Sequence, residues 1–107
     1  MELLPIPDMA QALDTDVLRV HRMIKEGDLV DVRNAEGVRC VPADFVQDGV
    51  PVKSLRSVIQ LLRDARFTND EIVGWLYQQD ATLPGTPMAA LRENRGTEIK
   101  RRAQAER

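Results

Sequence analysis

The apolar positions of the first third of this chain change period twice. Met9, Ala10 and Leu13 recur at three- and four-residue spacing, which makes one face of a short helix, and Pro7 suits its first turn. Asp14, Thr15 and Asp16 are a cluster of N-cap residues, so one helix stops there and another starts, with Asp16 the preferred cap. Val17, Val20, Met23 and Ile24 share a face of the second helix. Arg19, Arg22 and Lys25 project from its flanks, with His21 near them. Gly27 ends it, as glycine does one position past a helix C-cap. Then the period shortens. Leu29, Val30 and Val32 read as one strand and Val38, Cys40 and Val41 as a second, joined by a hairpin turn over Asn34 to Gly37.

From Lys53 onward the helical period returns. Leu55, Val58, Ile59, Leu61 and Leu62 make a broad apolar face with Ser54 as N-cap. Asn69 is expected to cap the next helix, whose apolar face is Ile72, Val73, Trp75 and Leu76; Asp70 and Glu71 in its first turn suit the helix dipole. Trp75 reads as a packing residue. Asp80 to Pro87 is dense in helix breakers. Thr86 then caps a helix with Pro87 in its first turn and Met88 and Leu91 inward. Gly96 interrupts it, and Thr97 to Ala105 continues as a basic helix. The predicted fold is mainly α with a small β-hairpin wing. It comprises a winged helix-turn-helix over 1–45, supporting helices of the same domain over 46–79, and a loop with a C-terminal helical region over 80–107.

A short helix, a tight turn, a second helix and a hairpin are the outline of a winged helix-turn-helix, whose second helix is built to enter the DNA major groove. The expected DNA-facing residues are Thr15, Leu18, Arg19, His21, Arg22 and Lys25 on and before that helix, and Arg33, Asn34 and Arg39 at the wing. Arg19 and Arg22 are the candidates for base edges, because arginine can hold guanine with two hydrogen bonds.

Composition changes this picture in few places. The chain has 107 residues and a formal net charge of −2, whereas many DNA-binding domains are strongly basic. Distribution matters more than the sum: Arg19 to Lys25 contains three basic residues and no acidic one, while carboxylates gather at Asp8, Asp14, Asp16, Asp70 and Glu71. High affinity is therefore expected to need a dimer or repeated sites. Cys40 is the only cysteine and His21 the only histidine, which excludes an internal disulfide and the four-ligand zinc site of a structural module. No glycine-rich phosphate loop or nucleophile elbow is present, so catalysis and cofactors are not expected. No apolar run approaches the roughly 20 residues of a membrane span, and no signal-peptide pattern opens the chain. A cytoplasmic, nucleoid-associated protein is expected.

Two resemblances sharpen the reading. The run Ala10-x-x-Leu-Asp-Thr-Asp-x-x-x-Val-x-Arg-x-Ile-Lys-x-Gly-Asp-Leu29 resembles the DNA-binding units of MerR-type regulators and phage excisionases. The segments GDLVDVRNAEGVRCVPADF, VPVKSLRSVIQLLRDARFTNDEIVGWLY and EIKRRAQA resemble a small actinobacterial winged-helix family that includes a mycobacterial Ser/Thr-kinase substrate. That resemblance implies binding to double-stranded DNA, and the role expected from the whole reading is transcriptional regulation. A competing class is a protein-interaction module with a vestigial helix-turn-helix. Its support is the acidic total and the pattern from Trp75 to Leu91, which is similar to the toxin-binding region of some Xre-type antitoxins. A homodimer, and a protein partner through 75–107, are left open by the sequence.

Overall fold

The computed structural model describes residues 1–106; residue 107, the last of the expected C-terminal region, lies outside them. Strand β1 (Leu3–Pro5) runs into helix α1 (Ile6–Ala12), and a short turn leads to α2 (Val17–Lys25). Strands β2 (Val32–Arg33) and β3 (Arg39–Pro42) form the wing. A 3-10 turn over Ala43–Phe45 leads to a second hairpin, β4 (Val46–Gln47) and β5 (Val50–Pro51). Four helices follow: α3 (Leu55–Asp64), α4 (Asn69–Leu76), α5 (Pro87–Arg92) and α6 (Gly96–Gln104).

The wing is part of a three-stranded sheet with β3 in its middle. β3 pairs with β2 and also with β1, antiparallel on both sides, with Leu4 opposite Val41 and Arg33 opposite Arg39. β1 was not expected, because three residues ending in proline carry no strand period of their own. Its partner lies some forty residues away, and pairing with β3 protects an edge that would otherwise face solvent. The wing strands are also shorter than the pattern suggested. Leu29 and Val30 are buried in an irregular segment, and Val38 belongs to the turn.

Residues 46–51 form a hairpin where supporting helices were expected. Asp48 and Gly49 both adopt positive φ, at 55° and 80°, which a two-residue turn of this twist requires. One N-cap moves, and another keeps its place without its bond. Thr68, not Asn69, caps α4: its hydroxyl accepts from Glu71 N–H at 3.2 Å, and the Glu71 carboxylate accepts from Thr68 N–H at 2.9 Å. Ser54 precedes α3 in the left-handed region (φ 72°) and makes no cap bond. Its hydroxyl lies instead against Gly96, where an added Cβ would stand 2.6 Å from Ser54 Cβ.

The capping box has a pH signature. Hydrogen bonds from the Thr68 backbone and hydroxyl region hold the Glu71 carboxyl below its ordinary range. A lowered folded-state value means that this contribution is present above the unfolded carboxyl range and is lost as pH falls through the folded one. Thr68→Ala is expected to lower stability at neutral pH by about 1 kcal/mol. Its deficit relative to the parent should shrink on acidification, which urea unfolding at several pH values will check.

One core joins all parts of the described chain. Met9 and Ala10 of α1, Val20 and Ile24 of α2, Val41 of β3, Phe45, Ile59 and Leu62 of α3, Ile72 and Leu76 of α4, Leu91 of α5 and Ile99 of α6 belong to a single apolar cluster. The C-terminal helix is thus packed, with Ile99 and Ala103 fully buried. Among the apolar positions of the antitoxin-like segment, Leu76, Leu83, Met88 and Leu91 are spent on this core. Trp75 packs against it partly buried, as expected.

Candidate nucleic-acid interface

Helix α2 is held rigidly at both ends by its own sequence. Asp16 Oδ1 accepts from Arg19 N–H at 2.8 Å, satisfying one of the free donors of the first turn. At the other end Gly27, at φ 86°, closes a Schellman motif: Asp28 N–H reaches Met23 O at 2.9 Å and Gly27 N–H reaches Ile24 O at 3.2 Å. An added Cβ at Gly27 would meet only the tip of the exposed Gln60 side chain of α3, so the positive φ rather than space is what calls for glycine here. Arg56 of α3 anchors the same corner through Asp28 at 2.7 Å.

Val20, Met23 and Ile24 bury one face of the helix. At about 100° per residue the opposite pole carries Leu18, Arg22 and Lys25, spaced i, i+4 and i+7. All three are exposed, and so is Arg19 on one flank. Arg19, Arg22 and Lys25 make no ion pair among the described residues. Val17 departs from expectation: it was placed on the buried face, yet it is 39% exposed, because at about 100° per residue it lies on the edge of the face that Val20, Met23 and Ile24 bury. Thr15 is exposed in the turn before the helix.

The wing residues divide into two sets. Asn34 spends its side-chain oxygen inside the turn, accepting from Glu36 N–H and Val38 N–H at 2.9 Å each. It builds the wing tip, leaving only its amide nitrogen for other contacts. Arg33 is exposed, with one guanidinium N–H on Gly37 O at 3.0 Å. Arg39 is turned inward. Its Nε donates to Asp31 Oδ2 at 2.5 Å, and its Nη1 lies 3.2 Å from His21 Nδ1. Arginine has no acceptor, so His21 Nδ1 accepts and the ring proton sits on Nε2. His21 and Arg39 therefore form a strap that fixes the wing to α2, and they are less free for an outside partner than their types suggested.

Asp31 is the residue that sequence reasoning missed. One carboxylate oxygen holds Arg39; the other accepts from Asn69 Nδ2, at the start of α4, at 3.2 Å. The chain Asn69–Asp31–Arg39–His21 thus runs from the C-terminal helices through the wing to α2. Nothing local marks it, since its links span 8, 18 and 38 residues.

The remaining charged groups do not extend the cationic face uniformly. Arg102, expected as part of a basic C-terminal cluster, is bound by Asp80 at 3.1 Å and Glu98 at 3.3 Å. Arg92 donates to the Asp44 and Val46 carbonyls at 2.7 and 2.9 Å, and the Tyr77 hydroxyl donates to Asp44 at 3.1 Å. Burial, then the nearby Asp44 carboxylate, pushes the Tyr77 hydroxyl well above the ordinary phenol range. No group of three His, Cys, Asp or Glu residues among those described could hold a metal ion, and no described helix is long and apolar enough to cross a membrane.

Comparison with known proteins gives a consistent result over both halves. Residues 1–46 match the family model described as the wHTH domain of DNA-binding protein Rv2175c. Residues 52–106 match the model described as the Rv2175c C-terminal domain of unknown function. The chain is 34% identical over 112 residues to DNA-binding protein Rv2175c of Mycobacterium tuberculosis, covering 94% of this chain and 77% of the relative. The NMR structure of Rv2175c superposes with a TM-score of 0.89 at 32% identity, covering 97% of this chain and 80% of that one.

Proposed function

The chain belongs to the family of DNA-binding protein Rv2175c, and on that premise we propose that it binds duplex DNA through α2 and the wing and acts as a transcriptional regulator. The observation that carries this reading is the outward pole of α2. Three cations without an ion-pair partner among the described residues stand on a helix whose other face is locked into the core. A third exposed arginine, Arg33, stands on the adjoining wing. In this reading α2 lies in the major groove, with Leu18, Arg22 and Lys25 facing it. Arg22 is the better placed of the two arginines for a base edge, while Arg19 on the flank and Arg33 on the wing meet phosphates, which take half to two-thirds of protein–DNA hydrogen bonds. The Asn69–Asp31–Arg39–His21 chain holds the wing at a fixed angle to α2, so that both reach one duplex together.

Fluorescence anisotropy on a labelled mixed-sequence duplex tests this. If the four cations Arg19, Arg22, Lys25 and Arg33 all displace condensed counterions, whether from phosphates or from within the groove, log K should fall linearly with log salt at a slope of about −3.6. An absence of binding at low salt and high protein concentration would defeat the reading. Regulation is tested separately, by selecting the preferred duplex and asking whether placing it at a promoter makes a reporter respond to the protein.

A further inference from the structure

Leu18 is the most exposed large apolar side chain of the described protein, at 75%. Met1, Val38 and Val50, also exposed, lie at the terminus or in turns and hairpins; Leu18 sits in a regular helix. It occupies the centre of the outward pole of α2, one turn before Arg22 and two before Lys25. Val17 is exposed on the flank opposite Arg19. A leucine there adds nothing to the core, and its exposure to water has no folding benefit. The outward pole is therefore apolar at its N-terminal end and cationic along the rest.

The major groove presents a matching surface. Its floor carries the thymine 5-methyl, the apolar group by which a T·A pair is distinguished there, and apolar side chains read it by contact. The N-terminal residues of a recognition helix are those that reach base edges. We propose that Leu18 packs against the 5-methyl of a thymine in the preferred site, so that this end of α2 specifies thymine by apolar contact. This inference rests on the DNA-binding reading above and deepens it to a base preference.

The test begins with duplexes selected by the protein from a randomised pool. Each thymine of the selected duplex is then replaced singly by deoxyuridine, which keeps base pairing and the hydrogen-bonding edge and removes only the methyl. Loss of one buried methyl corresponds to about a fourfold weaker Kd. The expected result is a loss of that size at one or two adjacent positions for the parent protein, and none at those positions for Leu18→Ala. Leu18→Ala should fold normally, since the site is exposed and alanine is the best helix former. The inference is overturned if no selected position prefers thymine, or if deoxyuridine is silent everywhere. It is equally overturned if parent and Leu18→Ala lose affinity alike. In each of those cases salt-dependent binding to the same duplex leaves the DNA-binding reading standing. Failure to bind any duplex at low salt overturns both.

Discussion

Reversing Arg19 and Arg22 together to glutamate is expected to abolish duplex binding at near-physiological salt while leaving the fold intact. Each arginine in contact with a nucleic acid contributes a charge-assisted hydrogen bond of about 1.5–3 kcal/mol, so the pair accounts for roughly two to four powers of ten in Kd. The slope of log K against log salt should flatten by about 2. Stability should change little. Both side chains are exposed and unpaired among the described residues. Arg19→Glu places an acid in the first turn of α2, where the helix dipole favours it, and Arg22→Glu places one toward the end, where it is disfavoured; the two effects oppose one another. Anisotropy titration with circular dichroism as the folding control decides the matter. Lys100→Glu with Arg101→Glu makes the same change of net charge on α6. If that variant loses binding equally, total charge rather than the α2 face governs affinity.

Ile99→Ala is expected to destabilise the whole described chain, winged unit included, by about 2–5 kcal/mol. Against a typical domain stability of about 5–15 kcal/mol, this is a large fraction. Ile99 is fully buried on α6 in the cluster shared with α1, α2 and β3. Several polar links also cross between the first 46 residues and the rest: Arg92 to the Asp44 and Val46 carbonyls, Tyr77 to Asp44, Arg56 to Asp28 and Asn69 to Asp31. A core continuous across that boundary should unfold as one unit. Urea unfolding followed by Trp75 fluorescence should shift together with the hydrogen-exchange stability of the Cys40 and Val41 amides in β3. If Trp75 reports the loss while the β3 amides keep their protection, the winged unit stands alone.

Much of the helical framework was legible in local spacing. Asp16 as the cap of α2, Gly27 as its stop, the Asn34–Gly37 turn and Thr86 before Pro87 were all expected, and all are present. Each depends on groups within about five residues of one another, where chain geometry leaves few alternatives. The Asp48-Gly49 hairpin belonged to the same class. Its dipeptide is a strong turn signal, but the helical period of the residues after it drew the expected boundary too far toward the N-terminus.

The sequence by itself determined where helices begin and end, which of their faces are apolar, and that cations rather than carboxylates line α2. Only the tertiary structure decided how those cations are used. Arg39 and His21 look as available as Arg22, yet Asp31 and Asn69 draw them into an internal strap. Asn69 looks like a cap, yet its amide serves Asp31 and Thr68 takes the cap. β1 has no period of its own and is a strand because β3 offers it partners. Val17 follows the apolar period and is nevertheless exposed, because the neighbouring elements cover Val20, Met23 and Ile24 and not the edge of that face where Val17 lies. The physical reason is common to all four. Caps, stops and turns are decided by hydrogen bonds that the local chain must make, whereas long-range pairs depend on which surfaces meet, and a one-dimensional pattern does not contain that information.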